Sequence, residues 1–353
     1  MLEMLSVMAI IAGLSLLIVI HEAGHFFIAK YFGLLVEEFG FGLPPRIWGK
    51  KIGETLYSFN WLPFGGFVRI FGESQKLLMD VDGNTDLSVQ NNLNRAFYNQ
   101  LIWRRALIVV AGVAMNFLLG WGLIAVVFWI GIPQSVLVTE IKEGGLAEIA
   151  GIQKGDQFID YKNVGEFTEF IERQKGQETS LGIQRAGKKI LITITPRSAV
   201  PDGEGNLGIY IAEAGLPKSG FLKGITEGFL TSIKIVWTVF LGLIDLVIGV
   251  FTDISILDRF VGPVGVVNAA IETTKLGLIP FIQLLAMLSL NLAVFNVIPV
   301  PALDGGRLLF LLIEKLKGSP LNPKTEVAVN GIGFAFLLLL ILAITVKDIF
   351  TLL

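Results

Sequence analysis

The fold class this sequence predicts is a membrane α-helical protein: four transmembrane helices, a β-hairpin at the membrane edge and one small inserted α+β domain. Three observations predict it. Of 353 residues, 53% are hydrophobic and 16% are charged, with a mean hydropathy of +0.69, outside the usual soluble range. Four stretches are long and apolar enough to cross a ~30 Å hydrocarbon core. Between the second and third of them, the composition turns polar for long enough to build a compact domain. The net charge of -2 gives no reason to expect a nucleic-acid partner, and the absence of cysteine excludes disulfides and thiolate metal ligands.

The first span is expected from Met4 to Lys30, the second from Ala106 to Ile132, the third from Leu278 to Ile313 and the fourth from Val327 to Val346. With Glu3 in place of a basic region, and an apolar run that continues to Lys30, the N-terminus does not read as a removable signal peptide. From Val36 to Arg105 the chain is mixed, with Gly40, Gly42, Pro44, Pro45, Gly65 and Gly66 as turn signals. Alternation and aromatic content predict strands at Thr55–Trp61 and Phe64–Phe71, a hairpin dipping into the membrane edge. Residues 133–200 form the expected inserted domain, with strand-like ends at Val136–Ile141 and Lys189–Thr195 and a helix at Phe167–Gln174 between them. Residues 201–260 read as a linker, with a loop at Asp202–Asn206, followed by an amphipathic helix.

Charge decides the topology. No Lys or Arg precedes Lys30, whereas the Val36–Arg105 loop carries eight and the short loop after the third span carries Lys315, Lys317 and Lys324. The positive-inside rule puts both loops in the cytoplasm, and the N-terminus and inserted domain outside. Residues 229–251 are marginal as a span, because Lys234 and Asp245 interrupt them. A crossing there would turn the third span the wrong way, so this segment is expected along the outer interface.

Chemistry concentrates in one pentapeptide. The only two histidines of the chain stand in His21-Glu22-Ala23-Gly24-His25, at the end of the first span. On a helix, residues four apart share a face, so two imidazoles at this spacing can hold one metal ion with Glu22 beside it. A histidine on an apolar helix is more often a hydrogen-bonded core residue. Here, however, three ionisable groups sit at membrane depth, where each costs about 3 kcal/mol or more when charged, and a bound cation offsets that cost. With no further histidine, a third ligand is a carboxylate. Asp304 lies in a stretch broken by Pro299 and Pro301 and followed by Gly305 and Gly306. Taken alone, Asp304 reads equally well as a cap opening a new helix. Depth favours the ligand: His21 lies ~26 Å along the helix from Met4, toward the cytoplasmic side, where the third span also delivers Asp304. Asn116 and Asn296 are amides at the same depth, suited either to interhelical hydrogen bonds or to holding a substrate backbone or oxyanion.

These residues carry a resemblance. The His21–His25 motif, the Asn-x-x-Pro-x-Pro-x-Leu-Asp-Gly-Gly run at 296–306 and the intervening domain together resemble the site-2 protease family of intramembrane zinc metalloproteases. The likeness is greatest to the bacterial branch that carries PDZ domains and cleaves anti-sigma factors. Gly144–Asp156 looks like the PDZ segment of that branch, and Gly262-Pro263-Val264-Gly265 and Gly112-x-x-x-Asn116 match recurring elements. The chain departs from the pattern at Val113, where the family often has proline, and has room for only one PDZ domain. The resemblance implies Zn²⁺ on His21, His25 and Asp304, Glu22 as general base, and Asn116 and Asn296 against the substrate or transition state. It further implies single-pass membrane proteins as substrates in regulated intramembrane proteolysis, within the cytoplasmic membrane of a bacterium. Two other readings fit less well: a PDZ-bearing scaffold with a structural metal, which Glu22 argues against, and a metal transporter, which would be expected to show internal repeats.

Overall fold

The computed structural model describes residues 2–73, 92–142, 144–185, 187–199, 205–249 and 261–352. It divides into two compact units, residues 1–124 with 229–353, and residues 125–228. Asp202, Gly203 and Glu204 of the expected loop lie outside the described residues.

The first unit is a helical bundle with a small sheet. Helix α1 (Leu2–Tyr31) ends where Gly33 begins a turn into β1 (Val36–Ile52) and β2 (Thr55–Ile70). Each strand is folded in two. Residues 46–52 pair with 55–60, while residues 36–43 pair with 56–62 on one side and with 66–70 on the other. The Gly and Pro signals at 40–45 therefore bend one long strand instead of ending it, since Gly42 has φ 79° and proline is tolerated at such irregularities. Segment 66–70 is left as a sheet edge.

Helix α2 (Ile102–Ile130) runs opposite to α1. Gly24 meets Ala111, and His21 meets Gly112. Helix α7 (Leu278–Val297) runs the same way as α1: Gly13 faces Phe281 and Leu285, and at the other end His21 faces Asp304. The expected third span is thus two helices, because Pro299 and Pro301 end α7, and α8 (Asp304–Lys317) begins at the aspartate itself. Helix α9 (Pro323–Leu352) closes the bundle, and the short α6 (Pro263–Leu276) starts against Ile344 and Asp348 near the far end of α9.

Five helices among the described residues, not four, are long and apolar enough to cross a membrane: α1, α2, α5 (Phe221–Gly249), α7 and α9. Helix α5 is the segment expected along the interface. Within the bundle it lies lengthwise, with Phe229 against Phe117 and Trp121, and Leu243 and Leu246 packed with Val294. Lys234 and Asp245, eleven residues apart, come about three turns later on one face. They share an exposed stripe and leave the opposite face apolar.

The second unit holds a five-stranded antiparallel sheet in the order β6-β5-β4-β3-β7. Its strands are β3 (Ile132–Ile141), β4 (Gln157–Phe158), β5 (Thr179–Arg185), β6 (Lys188–Ile194) and β7 (Ile209–Leu216). Helices α3 (Leu146–Ile149) and α4 (Val164–Arg173) accompany it. Val136, Val138, Phe158, Phe167, Ile171, Leu181 and Ile183 form its core. Residues 209–216, placed in the linker by the sequence, are its fifth strand and pair with β3. A fully buried Asp156 carboxylate accepts two hydrogen bonds from Arg185, each 2.7 Å, and one from the Gln153 N–H at 2.8 Å.

Candidate metal centre

Three side chains from two distant parts of the chain converge beside α2. His21 Nε2 and His25 Nε2 stand 3.1 Å apart, and Asp304 Oδ2 lies 3.0 Å from the first and 3.4 Å from the second. Donors bound ~2.0–2.1 Å from one ion at tetrahedral angles stand about 3.3–3.4 Å from one another. The observed triangle fits that face closely. The imidazole rings meet edge-on at 87°, and both Nε2 atoms come within 3.4 Å of the same Asp304 oxygen. Among the described residues, Asp304 Oδ2 is buried and has no hydrogen-bond partner, a costly state for a carboxylate unless a cation is its partner. Two imidazoles and a carboxylate, with one position open, are a donor set suited to catalytic zinc.

The helices were built to allow this approach. A Cβ on Gly24 would stand 2.4 Å from the Ala111 carbonyl, and one on Gly112 would stand 2.4 Å from His25 Nε2. These glycines let α1 and α2 touch where the imidazoles need room. After the proline break, a Cβ on Gly305 would fall 2.1 Å from the Ile298 carbonyl, and one on Gly306 2.4 Å from that of Val300. Only a Gly-Gly pair lets α8 start tight against the end of α7 and deliver Asp304.

Outer contacts set the tautomers. His25 Nδ1 lies 2.8 Å from the Ile108 carbonyl, so it donates there and leaves Nε2 free to ligate. Asn116, fully buried, meets His21 Nδ1 at 3.2 Å. The amide nitrogen is the atom facing Nδ1. With Nε2 on a metal, Nδ1 would carry the proton and the amide, turned end for end, would accept it through Oδ1, which otherwise has no partner among the described residues. Asn116 therefore touches one of the three converging side chains. Glu22 turns the other way, and its Oε2 accepts a 3.0 Å hydrogen bond from the Val68 N–H on the sheet edge. Asn296 sits in the last turn of α7; among the described residues it makes no hydrogen bond to the three converging side chains.

Sequence reasoning missed several supporting groups. Arg307, one turn past Asp304, pairs with Glu73 just past the end of β2. Arg105, at the start of α2, makes a two-pronged ion pair with Glu314 of α8, at 2.9 and 2.8 Å. Ala302 donates its N–H to Asn330 of α9 at 3.0 Å. No local spacing announces such partners; only opposite charges and amides at matching depths hinted at them.

Two imidazoles and a carboxylate converging inside a bundle of apolar helices, with a second carboxylate alongside, define a membrane-embedded metallohydrolase. The chain matches peptidase family M50 over residues 9–340. It is 28% identical to the regulator of sigma-W protease RasP of Bacillus subtilis, over 98% of both chains. It is 30% identical to the zinc metalloprotease RasP of Bacillus licheniformis, again over 98% of both. To the zinc metalloprotease RasP of Oceanobacillus iheyensis it is 31% identical, over 98% of this chain and 99% of that one. The chain belongs to peptidase family M50, and it is a zinc metalloprotease.

Proposed function

We propose that this protein hydrolyses a peptide bond in or near the transmembrane segment of single-pass membrane proteins of the anti-sigma-factor kind, within the cytoplasmic membrane of a bacterium. One observation carries the reading: the 3.0–3.4 Å triangle of His21, His25 and Asp304, lying at the end of α1 with Glu22 beside it. His21, His25 and Asp304 would hold the zinc, which would supply the positive charge needed to lower the pKa of a water molecule and polarise a carbonyl. Glu22 takes the proton from the attacking water and returns it to the leaving nitrogen. Asn296 offers an amide to the substrate backbone or the oxyanion, and Asn116 orients His21.

A helical substrate hides its carbonyls and must unwind before attack. Segment 66–70 is the accepting edge on this reading, since its Val68 N–H already reaches Glu22 and an added strand would lie beside the general base. The five-stranded domain is read as PDZ-like. Its edge strand β7 and helix α4 flank an apolar groove lined by Phe167, Ile171, Leu207, Ile209 and Ile211. It serves either to recruit an exposed peptide or to exclude bulky ectodomains. Removing residues 133–216 separates the two: gating predicts that intact substrates are then cleaved, recruitment that cleavage is lost.

The N-terminus is outside and the sheet cytoplasmic, as the lysines and arginines suggest. The shared direction of α1 and α7 supports the metal lying toward the cytoplasmic side. It also removes the objection to α5 crossing, because α6 starts back at the far end of α9 whichever course α5 takes. The decisive experiment co-expresses candidate single-pass proteins with the wild type and with Glu22→Gln. The variant should keep its zinc and leave the substrate intact; cleavage at the wild-type rate would refute the assignment.

A further inference from the structure

We infer that Asn330, on α9, is a positioning residue that holds the turn presenting Asp304. The inference rests on the reading of Asp304 as a metal ligand. Between α7 and α8, the Leu303 N–H bonds back to the Val300 carbonyl at 3.2 Å, closing a β-turn with Pro301 and Ala302 at its corners. Ala302 has φ 76° and is the one residue other than glycine with positive φ among the described residues. A turn of this kind takes proline at its first corner and, at its second, glycine or asparagine, because a Cβ is crowded there. An alanine held there costs on the order of 1–3 kcal/mol and persists only when its surroundings over-determine it.

The surroundings are supplied by α9. Asn330 Oδ1 accepts the Ala302 N–H at 3.0 Å. One turn on, Gly333 lies so close that an added Cβ would stand 2.5 Å from Pro301 Cβ and 2.7 Å from the Pro301 carbonyl. The rest of α9 is largely uncovered, with Phe334, Phe336, Leu339 and Leu342 all exposed. Its contact with the turn combines one hydrogen bond, at Ala302, with the close packing of Gly333 on Pro301, and falls two to three residues before Asp304. Without the acceptor, Ala302 relaxes toward negative φ and Asp304 swings out of the triangle.

The test compares wild type, Asp304→Ala, Asn330→Leu, Ala302→Gly and the double variant Asn330→Leu with Ala302→Gly, all as full-length protein in detergent. Zinc affinity is read by competition with a chromophoric chelator, ligand geometry by the visible spectrum of the Co²⁺-loaded protein, and folding by Tm. Asn330→Leu should weaken zinc about 10- to 100-fold, the usual effect of losing a group that supports a ligand, and should alter the Co²⁺ bands. Ala302→Gly should restore affinity to within about threefold in the double variant, because glycine holds positive φ unaided; a merely destabilised protein would not be rescued this way. Wild-type zinc affinity and spectrum in Asn330→Leu, or no rescue by Ala302→Gly, overturns the inference. Undiminished zinc in Asp304→Ala instead overturns the ligand reading beneath it. Should Asn330→Leu not fold, Gly333→Ala disturbs the same turn from its other contact: lost zinc at unchanged Tm supports the role, and unchanged zinc refutes it.

Discussion

At the scale of single residues, the site is held by contacts too close to tolerate one added carbon. Gly112→Ala places a Cβ 2.4 Å from His25 Nε2, so the imidazole must leave the metal. We expect zinc affinity to fall at least 100-fold, beyond the ordinary cost of losing a supporting group, as read by chelator competition. Asn116→Leu removes the acceptor for His21 Nδ1–H without adding bulk toward the metal. A loss of about 10- to 100-fold in zinc affinity is expected; a protein that keeps its zinc yet loses its substrate would show that Asn116 serves the substrate after all. His21, Glu22 and His25 were legible because their relation is local, and four residues of helix suffice to align two imidazoles. Asn330 was not legible. It lies 28 residues from Ala302, and their meeting depends on how one helix leans on another.

Individual elements carry their own tests. Segment 66–70 is an edge strand whose Val68 N–H is directed at Glu22, so Val68→Pro deletes both the donor and one rung of any added strand. Cleavage should drop at least tenfold, roughly the net worth of one ordinary hydrogen bond, while zinc content stays unchanged. Retained turnover would move substrate binding to another surface. In the five-stranded domain, Arg185→Met leaves the fully buried Asp156 carboxylate without its guanidinium. Breaking such a pair costs ~3–5 kcal/mol, so limited proteolysis of the full-length protein should clip this domain selectively. The sequence predicted strands at 55–61 and 64–71 because their alternation is local, but the hairpin expected of them is not formed: they flank 36–43 instead of pairing with each other. It missed that 36–52 is one bent strand, because glycine and proline signal a bend and a stop alike. Which partner the bent strand chose was a tertiary matter.

For the whole molecule the open quantity is the path of α5. It packs lengthwise on α2 and α7 through its apolar face, while Lys234 and Asp245 lie on the outward stripe, where a charge in lipid is costly. We expect α5 to cross. The chain has no cysteine of its own, which makes single-cysteine labelling clean. Ile248→Cys should react only from the cytoplasmic side, as Gly53→Cys should, whereas Lys154→Cys should react from outside. Reaction of Ile248→Cys from outside would restore the interfacial helix and the four-span count.

Composition, spacing and charge by themselves determined that this chain lives in a membrane and that two histidines and a glutamate share a helix, and they pointed to an aspartate after a proline break as the third candidate ligand. Those properties follow from local periodicity and from the cost of polar groups in hydrocarbon, both of which are written along the chain. Tertiary structure alone decided that two imidazole nitrogens and a carboxylate oxygen stand 3.0–3.4 Å apart, that the 66–70 edge reaches Glu22, and that Asn330 of α9 meets the turn before Asp304. Contacts between distant segments depend on how helix faces interlock. That interlocking is set by the absence of single methyl groups at Gly24, Gly112, Gly305 and Gly306, whose meaning appears only when the opposing surface is present.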